Sequence, residues 1–298
     1  MAEVSLSGID LKKKLRKKGR AGEIWRRFKK NKTAMVGLFI FVLIVLVVLF
    51  ADLIISYNLA ITQKIADRFI APGVKGHIFG TDNFGRDIMA RIVHGSRNSL
   101  LVGIGAVTCG IIIGGLLGAI SGFYGGFIDS AIVRTLDTVM CIPLMLLVLS
   151  IVAALGASLV NVLIAMMIAN VPHYTRIVRA AVLSVVGQDY IEAARACGTP
   201  DFLIIITHVI PNAIGPIIVQ ATMAVGTMII NAAGISFLGM GIQPPTPEWG
   251  AMLNEAKNYM LNYPYTVIFP GLSIGLTALS LNLMGDGLRD ALDPKLKD

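Results

Sequence analysis

The sequence predicts an all-α membrane protein with six transmembrane helices and both termini in the cytoplasm. First, 55% of the 298 residues are hydrophobic and only 15% are charged, whereas about a quarter of the residues in soluble domains are charged. Second, the apolar residues occur in runs that reach the roughly 20 residues needed to cross a bilayer. Third, Lys and Arg are distributed asymmetrically between the loops, which orients such runs in the membrane.

Residues 1–32 form a basic segment in front of the first apolar run. Twelve Lys and Arg residues lie between Lys12 and Lys32. Beside a membrane span such a run is typical of a positive-inside anchor rather than of a nucleic-acid tail. Trp25 and Phe28 stand among these charges and indicate a short helix at the membrane interface. We therefore expect this segment to contact membrane lipid and no nucleic acid.

Six apolar segments are candidate spans. They cover residues 33–55, 98–122, 132–155, 158–180, 206–234 and 264–285. The fourth is the weakest, because its apolar part is short and Pro172, His173 and Arg176 follow it. The fifth carries Pro211 and Pro216 near its start, so we expect it to begin with a kink or an extra turn.

The positive-inside rule orients these spans. With the basic N-terminus in the cytoplasm, the outer loops are 56–97, 156–157 and 235–263, and they hold only seven of the 26 Lys and Arg residues. The other basic residues lie inside or at the inner boundary, as the rule requires. Both termini are therefore predicted to be cytoplasmic.

A polar segment that begins at Asp189 interrupts the apolar runs on the cytoplasmic side. Asp189 is predicted to cap a short helix, and Glu192, three residues later, can complete a capping box. Gly198 stands where a helix C-terminus favours positive φ. Thr199 is predicted to cap a second helix, with Pro200 at its first position.

Four glycines in the second candidate span recur at a strict spacing of four residues. They are Gly110, Gly114, Gly118 and Gly122. This spacing places them on one helix face, where the missing side chains let another helix approach closely. Packing within this chain is the favoured interpretation, and contact with a second transmembrane subunit is the alternative.

The chain has no sequence signature of an enzyme or of a metal protein. It lacks a phosphate-binding G-x-x-x-x-G-K-[ST] loop, a Cys/His metal motif and a catalytic constellation. We therefore expect no catalytic residue, no metal site and no cofactor in this chain. Acidic residues, which mark ion coupling in transporters, are almost missing from the spans, and Asp137 is predicted to pair with Arg134. The candidate spans instead contain five amides that could bond neighbouring helices or line a polar path: Asn161, Asn170, Gln220, Asn231 and Asn282.

The polar segment resembles the loop motif of bacterial ATP-binding-cassette (ABC) importer permeases, E-A-A-x-x-x-G followed by I-x-L-P. The residues that match in type and spacing are Glu192, Ala193, Ala194, Gly198 and Pro211. Two positions depart from the motif, because His208 stands where Ile is usual and Ile210 where Leu is usual. Segments 80–87, 95–100, 237–250 and 282–294 are similar to the second permease of dipeptide and oligopeptide importers.

This resemblance covers residues 25–298 and implies a type I ABC importer permease in a bacterial cytoplasmic membrane. The parts of the chain would be a basic segment with an interfacial helix (1–32), a first transmembrane helix with its outer loop (33–97), a permease core (98–288) and a cytoplasmic tail (289–298). Residues 189–203 would form the coupling helix that sits on an ATPase subunit, with coupling residues Asp189, Glu192, Ala193, Ala194, Gly198 and Pro211.

The resemblance also implies a set of partners. They are a homologous permease, two ATPase subunits that carry ATP and Mg²⁺, and an extracytoplasmic peptide-binding protein. A lip that includes Pro244, Pro245 and Trp249 would receive substrate from the binding protein. Asp82 and Arg86 are candidates for the same lip, with internal salt bridges as the alternative.

The expected function is to form, with the homologous permease, a path for dipeptides and oligopeptides. A nickel or glutathione importer permease of the same group is the nearest alternative. An ion-coupled secondary transporter is the alternative from another class, and a channel or a purely structural membrane subunit is a third. Both are disfavoured, because neither needs the capped cytoplasmic segment at Asp189.

Overall fold

The computed structural model describes residues 20–292, and its regular structure there is helical apart from two isolated β-bridges. Residues 1–19 and 293–298, which hold most of the predicted basic segment and part of the predicted tail, lie outside the described residues. The first helices are α1 (Arg20–Lys30), α2 (Lys32–Leu49), α3 (Ala51–Ile54) and α4 (Tyr57–Ile61), followed by a 3₁₀ turn (Ile65–Asp67).

The long helices follow the outer loop. They are α5 (Ile88–Tyr124), α6 (Gly126–Met140), α7 (Leu144–Leu155) and α8 (Leu159–Val186). The segment that is predicted to be cytoplasmic, called the cytoplasmic segment below, contains α9 (Asp189–Ala196), α10 (Asp201–Ile204) and a π turn (Ile205–Val209). The chain then forms α11 (Ile210–Phe237), α12 (Trp249–Ala256) and α13 (Tyr265–Leu292).

The structure places a helix at each predicted apolar segment, but the number of membrane crossings stays a prediction. Four described helices are long and apolar enough to span: α2, α5, α13 and the continuous helical stretch Asp201–Phe237. The pair α6–α7 is a fifth if its two bent parts form one span. Helix α8 has the length but is not apolar enough to count as a span, in line with its rank as the weakest segment, and Pro172, His173 and Arg176 lie in its central part.

Two of the predicted spans differ from the structure for local reasons. Helix α5 begins at Ile88, ten residues before the predicted start, because the Asp87 carboxylate accepts a hydrogen bond from the Ala90 backbone N–H at 2.7 Å and caps it there. The third segment is bent by 82°. Its break precedes Pro143, a residue type that disfavours helical geometry at the position before it.

The fifth segment begins irregularly, as the sequence predicts. A π turn, Ile205–Val209, precedes α11. Pro211 lacks the N–H that would close the preceding α-helical turn. The widened turn therefore accommodates a proline without ending the helical stretch, which continues to Phe237.

Helices α5 and α8 form the centre of the bundle, and the four spaced glycines lie between them. A methyl group on Gly114 would lie 2.8 Å from the Val171 carbonyl oxygen, and one on Gly118 would lie 2.5 Å from the Thr175 carbonyl oxygen. Gly110 and Gly122 face α8 in the same way. This face is therefore occupied within the chain, as the favoured interpretation has it, and is not open to a second subunit.

Candidate functional site

The cytoplasmic helix α9 starts one residue later than its predicted cap implies. Gln188, in extended conformation, precedes the helix, and Asp189 is already its first residue. The predicted Asp189–Glu192 capping box is therefore wrong, and no side-chain hydrogen bond caps the helix. The physical reason is the preceding turn, in which the Gln188 N–H donates to the Val185 carbonyl at 3.1 Å and fixes Gln188 at the boundary.

The end of α9 is a glycine-dependent reversal. Gly198 adopts φ of +76°, as predicted. Its N–H donates to the Arg195 carbonyl at 2.9 Å, and the Thr199 N–H donates to the Ala194 carbonyl at 3.1 Å. This is the bonding of a Schellman motif. Since the Thr199 N–H is used there, the next helix starts after Pro200, which is its cap residue instead of its first.

One apolar side chain that the sequence analysis missed holds α9 in place. Ile191 is fully buried in a cluster with Val182, Val185, Ile204 and Val209. Ala194, one turn later, packs against the same cluster. The spacing of three residues between Ile191 and Ala194 is the signal that could have identified this inner face.

The opposite face of α9 points away from the bundle. Glu192, Ala193 and Gly198 are exposed. Beyond the turn, Phe202 is 73% exposed. The structure thus brings Asp189, Glu192, Ala193, Ala194 and Gly198 into one short element, whereas Pro211 lies in the long helix α11. The exposed face of α9 is therefore a narrow surface that carries Glu192, and the ring of Phe202 lies beyond the turn that ends the helix.

At the other end of the bundle, a buried cluster of two arginines and two acids ties the outer loop to α12. The Arg86 guanidinium donates to Asp82 at 2.7 Å and to Glu255 at 2.6 Å. The Arg91 guanidinium donates to both of the same carboxylates at 2.6 Å. Arg86 and Arg91 are each 1% exposed. The prediction that Asp82 and Arg86 belong to an exposed lip is therefore wrong, because internal salt bridges bury both.

Trp249 is also interior. It is 2% exposed, and its indole N–H donates to the Ile92 carbonyl at 3.1 Å. Its place in the predicted lip is wrong, because the neighbouring Glu248 caps α12 and turns the ring inward. The Glu248 carboxylate accepts hydrogen bonds from the Gly250 and Ala251 backbone N–H groups at 2.9 and 2.7 Å. Pro244 and Pro245 do lie on the surface.

Two further ion pairs involve acidic residues at the ends of predicted spans. Asp52 accepts a hydrogen bond from Arg97 at 2.9 Å, and this bond lowers the pKa of the exposed Asp52 carboxyl. Asp137 pairs with Arg176 on α8. The predicted Asp137–Arg134 pair is wrong, because α6 packs against α8 and Asp137 pairs with Arg176 across that contact. Within residues 20–292, no group of His, Cys, Asp and Glu is arranged to hold a metal ion.

Four of the five predicted span amides meet in one cavity of about 390 Å³. They are Asn170, Gln220, Asn231 and Asn282. The fifth, Asn161, lies at the junction of α7 and α8, where its side chain donates to the Leu155 and Gly156 carbonyls at 2.9 Å. Tertiary packing thus places four of the amides around one cavity and leaves Asn161 outside it, at the start of α8.

The sequence matches two protein-family models. The model of the binding-protein-dependent transport system inner membrane component matches residues 110–298. The model of the N-terminal TM domain of oligopeptide transport permease C matches residues 20–72. The two matches together include both the first apolar helix and the cytoplasmic segment with α9.

Among curated proteins, the chain is similar to several permeases along almost its whole length. It is 49% identical to the dipeptide transport system permease protein DppC of Alkalihalophilus pseudofirmus, covering 92% of this chain and 90% of that protein. It is 42% identical to the di/tripeptide transport system permease protein DppC of Pseudomonas aeruginosa, covering 93% and 92%. It is 44% identical to the glutathione transport system permease protein GsiD of Escherichia coli, covering 92% and 90%.

The fold is also found among solved structures. A chain of the MetNI methionine ABC transporter in an inward-facing conformation superposes with a TM-score of 0.58 at 17% sequence identity. The match covers 69% of this chain and 98% of the MetNI chain. At this level of identity the likeness concerns the fold, which is that of a type I ABC importer permease.

Proposed function

This chain belongs to the family of binding-protein-dependent transport system inner membrane components, and we propose that it forms half of the path of an ABC importer for dipeptides and short oligopeptides. It is a multi-pass protein of the inner membrane. Relatives named as dipeptide and di/tripeptide permeases support the peptide substrate.

The observation that carries this proposal is the outward-facing helix α9. It is anchored by one buried side chain, Ile191, and closed by the positive-φ turn at Gly198. Alanines on its exposed side leave little bulk between its backbone and a groove on a partner. Such an element can transmit a rigid-body movement of a partner to the long helices α8 and α11 on either side of it.

The proposed complex contains this chain, a homologous permease, two ATPase subunits and an extracytoplasmic peptide-binding protein. ATP and Mg²⁺ bind the ATPase subunits, and this chain carries no catalytic residue. ATP binding closes the ATPase pair and moves α9 with it, so that the spans rock between inward-open and outward-open states. Because a ligand shifts a conformational equilibrium only through differential contacts, the ATPase must act through α9 and its neighbours.

The orientation follows from the proposed partners. The coupling helix and both termini lie in the cytoplasm, and the outer loop with Pro244 and Pro245 faces the binding protein. The buried cluster of Asp82, Arg86, Arg91 and Glu255 gives that surface a rigid base. Substrate passes from the binding protein over this end of the bundle.

Glutathione is a second candidate substrate, favoured by the 44% identical glutathione permease. Nickel import by a permease of the same group remains the other alternative. An ion-coupled transporter is disfavoured, because the carboxylates of α6 are neutralised by arginines of α8. Asp129 accepts from Arg179 at 2.5 and 2.6 Å, and Asp137 pairs with Arg176.

Affinity purification of the tagged chain from native membranes in mild detergent tests the proposed complex. We expect mass spectrometry to identify a Walker-motif ATPase and a second, related permease in the eluate. Recovery of this chain alone, or only as a homo-oligomer, would contradict the proposal.

Uptake of labelled dipeptide by intact cells tests the energy source. Depletion of ATP is expected to abolish uptake, while a protonophore is expected to have no effect when ATP is held constant. Collapse of uptake by the protonophore at constant ATP would instead favour ion coupling. Competition by glutathione, by longer peptides and by nickel then ranks the substrates.

A further inference from the structure

The amide-lined cavity lies along the long helices α11 and α13 and not at their ends. Measured along α11 at 1.5 Å per residue, Asn231 is about 9 Å and Gln220 about 26 Å from the helix end at Phe237. On α13, Asn282 is about 15 Å from the end at Leu292. The bilayer core is about 30 Å thick, and each of these amides is within that distance of its helix end.

Most hydrogen-bonding groups of these amides have no partner within the described chain. The side chains of Gln220, Asn231 and Asn282 make no hydrogen bond to any other residue from 20 to 292. Asn170 is 4% exposed and uses only its NH₂ group, which donates to the Met166 carbonyl at 2.8 Å and approaches the Met228 sulfur at 3.4 Å. Gln220, Asn231 and Asn282 are only partly buried, so their amide groups are accessible from the cavity to a polar partner.

A second observation points to a ligand. Tyr174 lines the same cavity and is 1% exposed, yet its hydroxyl has no hydrogen-bond partner in the described chain. A buried tyrosine hydroxyl normally finds a partner. Its position next to Asn170, on the same helix, adds a phenol to the amide groups.

The chemistry of the lining defines what it can bind. The cavity has no Lys, Arg, Asp or Glu in its wall, and its other residues are mainly apolar. Amides offer both an N–H donor and a C=O acceptor, which matches the two polar groups of a peptide bond. The volume of about 390 Å³ lies within the range of small-molecule sites.

We propose that Asn170, Gln220, Asn231 and Asn282, with Tyr174, form a transient site for the peptide backbone of the substrate in the middle of the translocation path. This inference rests on the proposed function and names the substrate groups that the path recognises. Backbone recognition is independent of the side chains of the substrate. A wall without Lys, Arg, Asp or Glu, in which His173 is the one titratable residue besides Tyr174, forms no strong ion pair that would hold a zwitterionic peptide. The same amides could instead bond helices of the second permease, and the experiment separates the two possibilities.

The test is the double variant Asn231→Leu/Asn282→Leu in the complete transporter, with Thr222→Val as the matched control. Thr222 is on the same helix as Asn231 but faces a different cavity, and its hydroxyl is already bonded to the Ile218 carbonyl at 2.9 Å. We expect the double variant to lower the initial rate of dipeptide uptake about tenfold, the effect of one to two lost hydrogen bonds. Basal ATPase activity, co-purification of both partners and the control's uptake are expected to stay at wild-type levels.

Each other outcome overturns the inference in a distinguishable way. Unchanged uptake in the double variant would reject the site and leave the proposed function standing. Loss of the second permease from the purified complex would assign the amides to an interface between subunits. Absence of ATP-dependent peptide uptake in the wild type would reject the proposed function, and the peptide site with it.

A labelling experiment avoids dependence on a folded variant. A dipeptide with a diazirine side chain is photolysed in wild-type membranes during turnover, and the labelled fragments are mapped by mass spectrometry. We expect label in fragments that contain residues 220–231 or Asn282, displaced by excess unlabelled dipeptide. Displaceable label only in other helices would overturn the proposal.

Discussion

The outer end of the molecule and its cytoplasmic segment are built in opposite ways. At the outer end, Arg86, Arg91 and Trp249 are at most 2% exposed, and each donates at least one hydrogen bond to another part of the chain. In the cytoplasmic segment, α9 buries Ile191, and its remaining residues are largely exposed. The charged and aromatic side chains of the outer end are thus fixed inside the protein. Those of the cytoplasmic segment are exposed and free to contact a partner.

This difference shows why residues of similar character have different roles at the two ends. Asp82 and Glu192 are both acidic residues in the segments that connect long helices, Asp82 in the outer loop and Glu192 in the short helix α9. Asp82 is buried and neutralised by two arginines, whereas Glu192 is exposed and makes no ion pair in the described chain. Changes at the outer end should therefore reduce stability, and changes in α9 should reduce coupling while leaving the fold intact.

The largest expected effect on stability comes from breaking the outer cluster. Glu255→Ala leaves two buried guanidinium groups with one fewer carboxylate, and loss of one partner of a buried pair costs about 3–5 kcal/mol. Asp52→Ala removes an exposed pair, which should change stability little because water screens it. Thermal unfolding of both variants in detergent measures the contrast. Equal, small decreases in melting temperature for the two variants would show that the buried cluster does not stabilise the outer end.

The glycine face between α5 and α8 gives the next effect. In Gly118→Ala the added methyl group would lie 2.5 Å from the Thr175 carbonyl oxygen, and overpacking of this kind costs about 1–3 kcal/mol. Gly115→Ala is the control on the same helix, because its methyl group would have its nearest neighbour at 3.9 Å. A lower melting temperature for Gly118→Ala alone is expected. Equal melting temperatures would show that the helices can separate without cost.

A smaller loss of stability and a complete loss of uptake are expected for Gly198→Val. A residue with a Cβ in the left-handed region costs about 1–2 kcal/mol, and the β-branched side chain displaces the turn that fixes α9. Gly187→Val is the control, since Gly187 has negative φ and open space around it. The protein should remain in the membrane, as immunoblotting can verify. Peptide uptake at the wild-type level in Gly198→Val would refute the coupling role.

The smallest effect on stability is expected for Glu192→Lys. Reversing an exposed charge in the first turn of a helix costs less than about 1 kcal/mol, yet it changes the surface offered to the ATPase. We expect the melting temperature to stay unchanged. Either less ATPase should co-purify with the variant, or ATP hydrolysis should be stimulated without peptide uptake. Gln188→Lys places a lysine one turn earlier as a control. Normal co-purification and uptake in Glu192→Lys would remove Glu192 from the coupling surface.

The sequence by itself determined the features that depend on local chemistry. Hydrophobic runs located the helices, since a bilayer core demands about 20 apolar residues whatever the fold. Gly198 revealed a helix end, because positive φ is costly for residues with a Cβ. The four-residue glycine spacing revealed a packing face, and the loop motif around Glu192 indicated the family that the comparisons support.

Only the tertiary structure decided which distant residues meet. Trp249 and Arg86 lie in polar loops and suggested an exposed lip, but Ile92, Asp82 and Glu255 enclose them. Asp137 has a suitable partner three residues away and binds Arg176 on another helix instead. The amides Asn170, Gln220, Asn231 and Asn282 share a cavity although they come from three helices. Local periodicity sets which face a residue occupies, but the packing of one helix on another decides what that face meets.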